Sequence, residues 1–107
     1  MKFRVVVLPE ARDDIVDIYL YVAENNSVMR ADSLLSNLEQ TCLSLNHSPQ
    51  RGHAVPELKR INVENFREIH YKPYRIIYQI IEKTVYVHAV LDGRRDLQEF
   101  LEMRIFR

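Results

Sequence analysis

Glycine is nearly missing from this 107-residue chain: only Gly52 and Gly93 occur, and they stand apart. No glycine-rich loop that could cradle a phosphate is therefore present. Proline is almost as rare, and no stretch is low in complexity, so disorder is expected only at the very C-terminus. The single cysteine, Cys42, rules out an internal disulfide and fits a reducing, cytoplasmic home. It falls on the apolar stripe of a helix and reads as core packing. The four histidines, His47, His53, His70 and His88, are scattered without ligand spacing, so neither a metal nor a cofactor is expected. No apolar run approaches the ~20 residues of a membrane span. Met1-Lys2-Phe3-Arg4 leads straight into a strand-like run and lacks a signal peptide's long apolar region. Net charge is absent too, but unevenly so. Residues 1–50 carry four basic against seven acidic side chains, and residues 51–107 carry eleven against eight. The half that holds most of the strands is the positive one, which would suit an anionic partner or be ordinary scatter.

What is present is apolar patterning. Hydrophobic residues make up 47% of the chain, enough to fill one core, and a single domain over residues 1–107 is expected. Residues 3–8 form a β-branched run, which Pro9 stops while opening a helix. Ala11, Ile15, Ile18, Tyr19 and Val22 recur at helical spacing. Asn25-Asn26-Ser27 is turn chemistry, with Ser27 placed to cap a second helix whose stripe is Ala31, Leu34, Leu35, Leu38, Cys42 and Leu45. So short a turn predicts an antiparallel helical hairpin. Residues 46–56 read as a loop. Three β-rich runs follow, at 66–71, 74–81 and 84–91, joined tightly enough to be a meander. In the middle run Tyr74, Ile76, Tyr78 and Ile80 share one face, and Arg75, Ile77, Gln79 and Ile81 the other. Asp96 and Glu99 have capping-box spacing, and Leu97, Phe100, Leu101 and Ile105 recur as a short final helix with Arg104 and Arg107 near its negative end. The fold class is α+β in the order β-α-α-β-β-β-α. The helical hairpin should cover one face of a small, mainly antiparallel twisted sheet and leave the other partly open, edged by Arg75, Arg94 and Arg95.

This order resembles that of the RelE/ParE toxins of type II toxin–antitoxin systems, and four segments carry the likeness. "LPEARDDIVDIYLYVAENN" resembles the family's first helix through Ala11, Asp14, Ile18 and Tyr21. "LSLNHSPQRGHAVPEL" resembles the loop after the second helix through Pro49, Gly52 and Leu58. "FREIHYKPYRIIYQI" resembles the strand hairpin through Arg67, Tyr74, Arg75 and Tyr78. "VYVHAVLDGRRDLQEFLEMRIF" resembles the last strand and tail.

The resemblance implies one of two activities: ribosome-dependent messenger RNA cleavage, as in RelE-type mRNA interferases, or inhibition of DNA gyrase, as in ParE-type plasmid stabilisation proteins. RNA cleavage needs a base, cations on the phosphate and an acid. The tail offers no tyrosine or histidine; its nearest aromatic is Phe100. Glu57, in a Pro-Glu segment similar to one nuclease branch, and His88 could titrate, and Arg75, Arg94 and Arg95 could clamp a phosphate. Each has a structural alternative. Glu57 reads also as a solvated loop charge, and His88, on a face with Tyr86 and Val90, as a packing residue. Arg75 could pair with Glu68 across the hairpin, and one of Arg94 and Arg95 could be merely solvated. Tyr71, Tyr74, Tyr78 and Tyr86 read as sheet packing or as a base-stacking platform. Arg95, Asp96, Leu97 and Arg104 resemble the ParE-type tail. The reading taken is a ParE-like gyrase inhibitor, with target contacts at Arg67, Arg75, Arg94, Arg95 and Arg104. An mRNA interferase acting on the ribosome, and a non-toxic binding module of the same fold, are the alternatives. The family also implies a cognate antitoxin, seated on Leu97, Phe100, Leu101 and Ile105 if those four are partly exposed. A toxin homodimer through the same surface, or a toxin–antitoxin hetero-oligomer, would then form.

Overall fold

The computed structural model describes residues 2–106; Arg107, expected at the end of the last helix, lies outside them. Strand β1 (Arg4–Val7) runs parallel to the last strand, with Val5 opposite Val85 and Val7 opposite Val87. Pro9 occupies the first turn of α1 (Pro9–Asn25), where its missing N–H costs nothing. Ser27 caps α2 (Val28–Leu43) by accepting the Arg30 N–H at 3.1 Å. The two helices form the expected hairpin and bury Ala11, Ile15, Ala31, Leu38 and Cys42. The Cys42 thiol is pushed up to about 11, first by burial and then by Glu39, so it stays protonated and inert.

Residues 46–56 are more structured than a loop. They contain a two-residue strand, β2 (His53–Ala54), and lead into a one-turn helix, α3 (Pro56–Lys59). The meander is β3 (Phe66–Tyr71), β4 (Tyr74–Ile81) and β5 (Thr84–Asp92), followed by α4 (Gln98–Phe106). The sheet order is β1-β5-β4-β3-β2, antiparallel except for the β1–β5 pair. Asp96 accepts the Gln98 N–H at 3.2 Å and so caps α4, while Glu99 faces solvent rather than closing the box.

The alternation expected for β4 holds: Ile76 and Tyr78 lie in the core under the helical hairpin, and Ile77 lies in a second core on the other face. In β5 the parity is broken. Ile77 pairs with Ala89 but Tyr78 pairs with Val87, so His88 is the extra residue of a bulge. Val85, Val87 and Val90 therefore face the hairpin, while Ala89 and Leu91 face away. This corrects the expectation that His88 shares a face with Val90.

The larger correction concerns the second face, which is not open. Val55 and Leu58, from the segment leading into and through α3, cover it together with Leu97, just before α4, and Leu101 within it. The sheet is buried on both sides within this one chain. Leu97 and Leu101 retain almost no exposure, and burying each against Ile77, Ala89 and Leu91 is worth roughly 1.5–3 kcal/mol.

Candidate functional site

On the face under α3 and α4, the pleat places Glu68 and His70 of β3 beside Arg75 of β4, in a register that pairs His70 with Arg75. The first turn of α3 brings Glu57 to the same point. Arg75 donates through Nε and Nη2 to Glu68 at 2.7 and 2.8 Å, and through Nη1 and Nη2 to Glu57 at 2.7 Å each. His70 Nε2 lies 2.8 Å from Glu68 Oε1. The Arg75 side chain is 13% exposed and that of Glu68 only 2%. The hydrogen bonds from Arg75 hold the Glu57 carboxyl below the ordinary carboxylate range, while both partners raise the guanidinium further. Gln98 ties the network to α4, donating to the Glu57 carbonyl at 2.8 Å.

This geometry decides what Glu57 and Arg75 can do. A general base works best with a pKa near the operating pH and a free lone pair aimed at the substrate. Glu57 has the opposite properties: its affinity for protons is lowered and both oxygens are engaged. Arg75, expected as a phosphate clamp or target contact, is spent on two carboxylates, so the alternative in which it pairs with Glu68 is the one the structure takes.

The other expected site residues divide. Arg104, expected at the target surface, lies 2.9–3.0 Å from Asp14 in a bidentate pair, reaches the His88 carbonyl at 2.9 Å, and stacks over Phe100 at 4.9 Å. It belongs to the framework. Arg67 donates to the carbonyls of Gln50 and Gly52 at 3.1 and 2.8 Å and fastens the loop before β2. His88 packs edge-on to Phe66 at 5.0 Å and lies 3.2 Å from Gln79 Oε1. Burial, and then the charge of Arg104, lower its proton affinity, so it is neutral at pH 7 and fills a packing role. Arg94 is 73% exposed and is held by Asp92 at 2.7 Å. Arg95 is exposed beside it.

Arg94 and Arg75 do meet, as walls of a shallow groove of about 320 Å³ that also takes in His70, Lys72, Pro73, Tyr74 and Gly93. Gly93 is required there: a Cβ would stand 2.9 Å from Arg75 Cδ and Cγ. The groove therefore presents the aliphatic stem of Arg75, with the cationic contribution coming from Lys72 and Arg94. Asp14, which sequence reasoning noted only as a family position, caps a backbone N–H of β5 (Val90) at 3.0 Å.

Of the four residues expected to seat an antitoxin, Leu97 and Leu101 are core and Ile105 packs against it; Phe100 is 36% exposed. The outer side of α4 instead presents Phe100, Met103 and Phe106.

Among known proteins, the family model of the ParE toxin of type II toxin–antitoxin systems (parDE) matches residues 5–97. Toxin ParE3 of Caulobacter vibrioides is 27% identical over 94 residues, which is 88% of this chain and 90% of that toxin. The structure resembles that of a chromosomal ParDE toxin–antitoxin system from P. aeruginosa, with a TM-score of 0.70 at 13% identity over 83% of this chain and 94% of that one. It also resembles the RelBE2 toxin–antitoxin complex of Mycobacterium tuberculosis, with a TM-score of 0.65 at 18% identity over 86% of this chain and 92% of that one. A family match running from β1 to the residue before α4, carried on the architecture described above, leaves one conclusion: the chain belongs to the ParE toxin family of type II toxin–antitoxin systems.

Proposed function

We propose that the chain is a single-domain cytoplasmic toxin that inhibits DNA gyrase by binding it, performs no RNA cleavage, and is silenced by a cognate antitoxin. The observation that carries this reading is the locking of Glu57 and Arg75 to each other and to Glu68. The one carboxylate and the one strand arginine that a nuclease mechanism would draw on are committed to the fold. Arg94 and Arg95, on the turn after β5, stay exposed and offer a means of gripping a macromolecule rather than of moving protons. The antitoxin is expected on the outer side of α4, where an amphipathic segment could cover Phe100, Met103 and Phe106. In its absence the same surface would serve a homodimer.

The deciding experiment adds the purified chain to a gyrase supercoiling assay and, separately, to translating ribosomes with messenger RNA. Loss of supercoiling activity with cleaved DNA trapped on gyrase is expected, and Arg94→Ala with Arg95→Ala should weaken it about tenfold or more, the worth of one lost charge-assisted contact. Codon-associated mRNA cuts that vanish in a folded Glu57→Gln variant, with gyrase untouched, would overturn the proposal.

A further inference from the structure

Two of the four histidines that look scattered along the chain, His53 and His70, meet in space. β2 pairs with β3 so that His53 stands opposite Glu68, and His70 follows Glu68 by two residues on the same strand and hence on the same face. One ligand atom from each of His53, Glu68 and His70 lies within 4.8 Å of the other two, and the two imidazole rings meet edge-on at 5.3 Å. We infer that His53, Glu68 and His70 form a binding site for a divalent transition metal ion, best suited to Zn²⁺.

Three observations carry this. The donor set is two imidazoles and one carboxylate, a combination that suits first-row transition ions and not the hard, oxygen-seeking Mg²⁺ or Ca²⁺. Next, the ligands are already oriented by the groups behind them. The Ala54 carbonyl, 3.0 Å from His53 Nδ1, can only accept, so Nδ1 carries the proton and Nε2 of the neutral ring keeps its lone pair. Arg75 fixes the Glu68 carboxylate from behind, and such supporting hydrogen bonds are what hold metal ligands in register. Finally, the nearest cation, Arg75, is already met by two carboxylates, Glu57 and Glu68, before any metal binds. Zn–N and Zn–O bonds of about 2.0–2.2 Å bring ligand atoms to roughly 3.3 Å from each other. Both histidines sit at the surface, where side-chain rotation closes that difference; His70 then exchanges its hydrogen bond to Glu68 for the metal. A bound ion would staple the edge strand β2, which has only two paired residues, to β3. His70 also lines the groove that Arg94 helps form, but neither Arg94 nor Arg95 is a ligand, and the site does not depend on the identity of the toxin's target.

The test is a titration of the full-length chain with Co²⁺, followed by visible absorption, then displacement by Zn²⁺. One Co²⁺ per chain is expected, with a ligand-field band that Zn²⁺ bleaches and Mg²⁺ does not. His53→Ala and His70→Ala should each weaken binding at least about tenfold, and the double variant should abolish it. At roughly 100-fold excess over its dissociation constant, Zn²⁺ should raise the melting temperature by about 5 °C or more in the unaltered chain only, reversed by a chelator. Both substitutions lie on exposed side chains, and circular dichroism checks that the variants fold. No ligand-field band, or binding undiminished in the folded double variant, would refute the site.

Discussion

A carboxylate as deeply buried as Glu68 is tolerable only while a cation stays on it. Arg75 supplies that cation, with Nε and Nη2 both committed to Glu68. Glu68→Ala leaves the Arg75 guanidinium with Glu57 as its remaining anion, and a cost of about 1.5–3 kcal/mol, the worth of hydrogen bonding to a charged group, is expected in urea denaturation. His88 gives a second measurable effect. Its folded-state proton affinity lies below the ordinary value of 6.5, so below that pH the unfolded chain binds more protons than the folded one. Its contribution is intact above pH 6.5 and is lost as the pH falls toward and through the lowered value. Denaturation midpoints measured from pH 7 to about pH 5 should fall, and His88→Asn should flatten that slope. The pairing of Arg75 with Glu68 could be read in the sequence, because both lie on strands joined by a tight connection. The arrival of Glu57 could not: α3 is four residues long and leaves no periodic trace. The meeting of His53 with His70 was equally hidden, since it depends on a two-residue strand.

Among the elements, α4 shows most plainly the difference between finding a helix and knowing what it packs against. Its stripe of Leu97, Phe100, Leu101 and Ile105 has the same spacing whether it faces a partner or the chain's own sheet, and periodicity alone does not separate the two. What decides it is the demand of the sheet's second face. Leu101→Ala should accordingly behave as a core deletion, costing about 2–5 kcal/mol in thermal or urea unfolding. Phe100→Ala should cost far less stability and be felt instead in antitoxin affinity. The strand β5 poses a different problem. β1 stops beside it at Val87, yet β5 continues to Asp92, so its outer edge carries backbone groups with no strand beside them. Asp14 of α1 accepts the Val90 N–H, and Arg104 of α4 donates to the His88 carbonyl, while the two side chains hold each other. The helices on opposite faces of the sheet thus close over its rim. Asp14→Asn should speed amide hydrogen exchange at Val90 selectively and lower global stability by about 2 kcal/mol, as expected when a buried charged partner is lost.

At the scale of the whole molecule, the order of the long elements followed directly from the sequence, because each has a clear period and the connections are short. The layering did not follow, because apolar residues on both faces of β4 fit a partly open second face as well as one covered by a segment that has no period of its own. The charge asymmetry between the two halves has a partial counterpart in the fold. Glu10 and Asp14 of the acidic half meet Arg104 of the basic half, so some of the imbalance is consumed internally and never reaches a partner. Among the described residues no helix is long and apolar enough to cross a membrane.

The meeting of Asp14 with Arg104 over β5 also makes the last few residues a guard against self-assembly. A chain ending after Glu102 would keep the buried Leu97 and Leu101 and the Asp14 cap on the Val90 N–H, but it would bare the His88 carbonyl on the rim of β5, next to an aspartate stripped of its counterion. A less guarded strand edge recruits further strands. The shortened protein should sediment as growing oligomers, with thioflavin fluorescence rising with concentration, while the full-length protein held under the same conditions does neither.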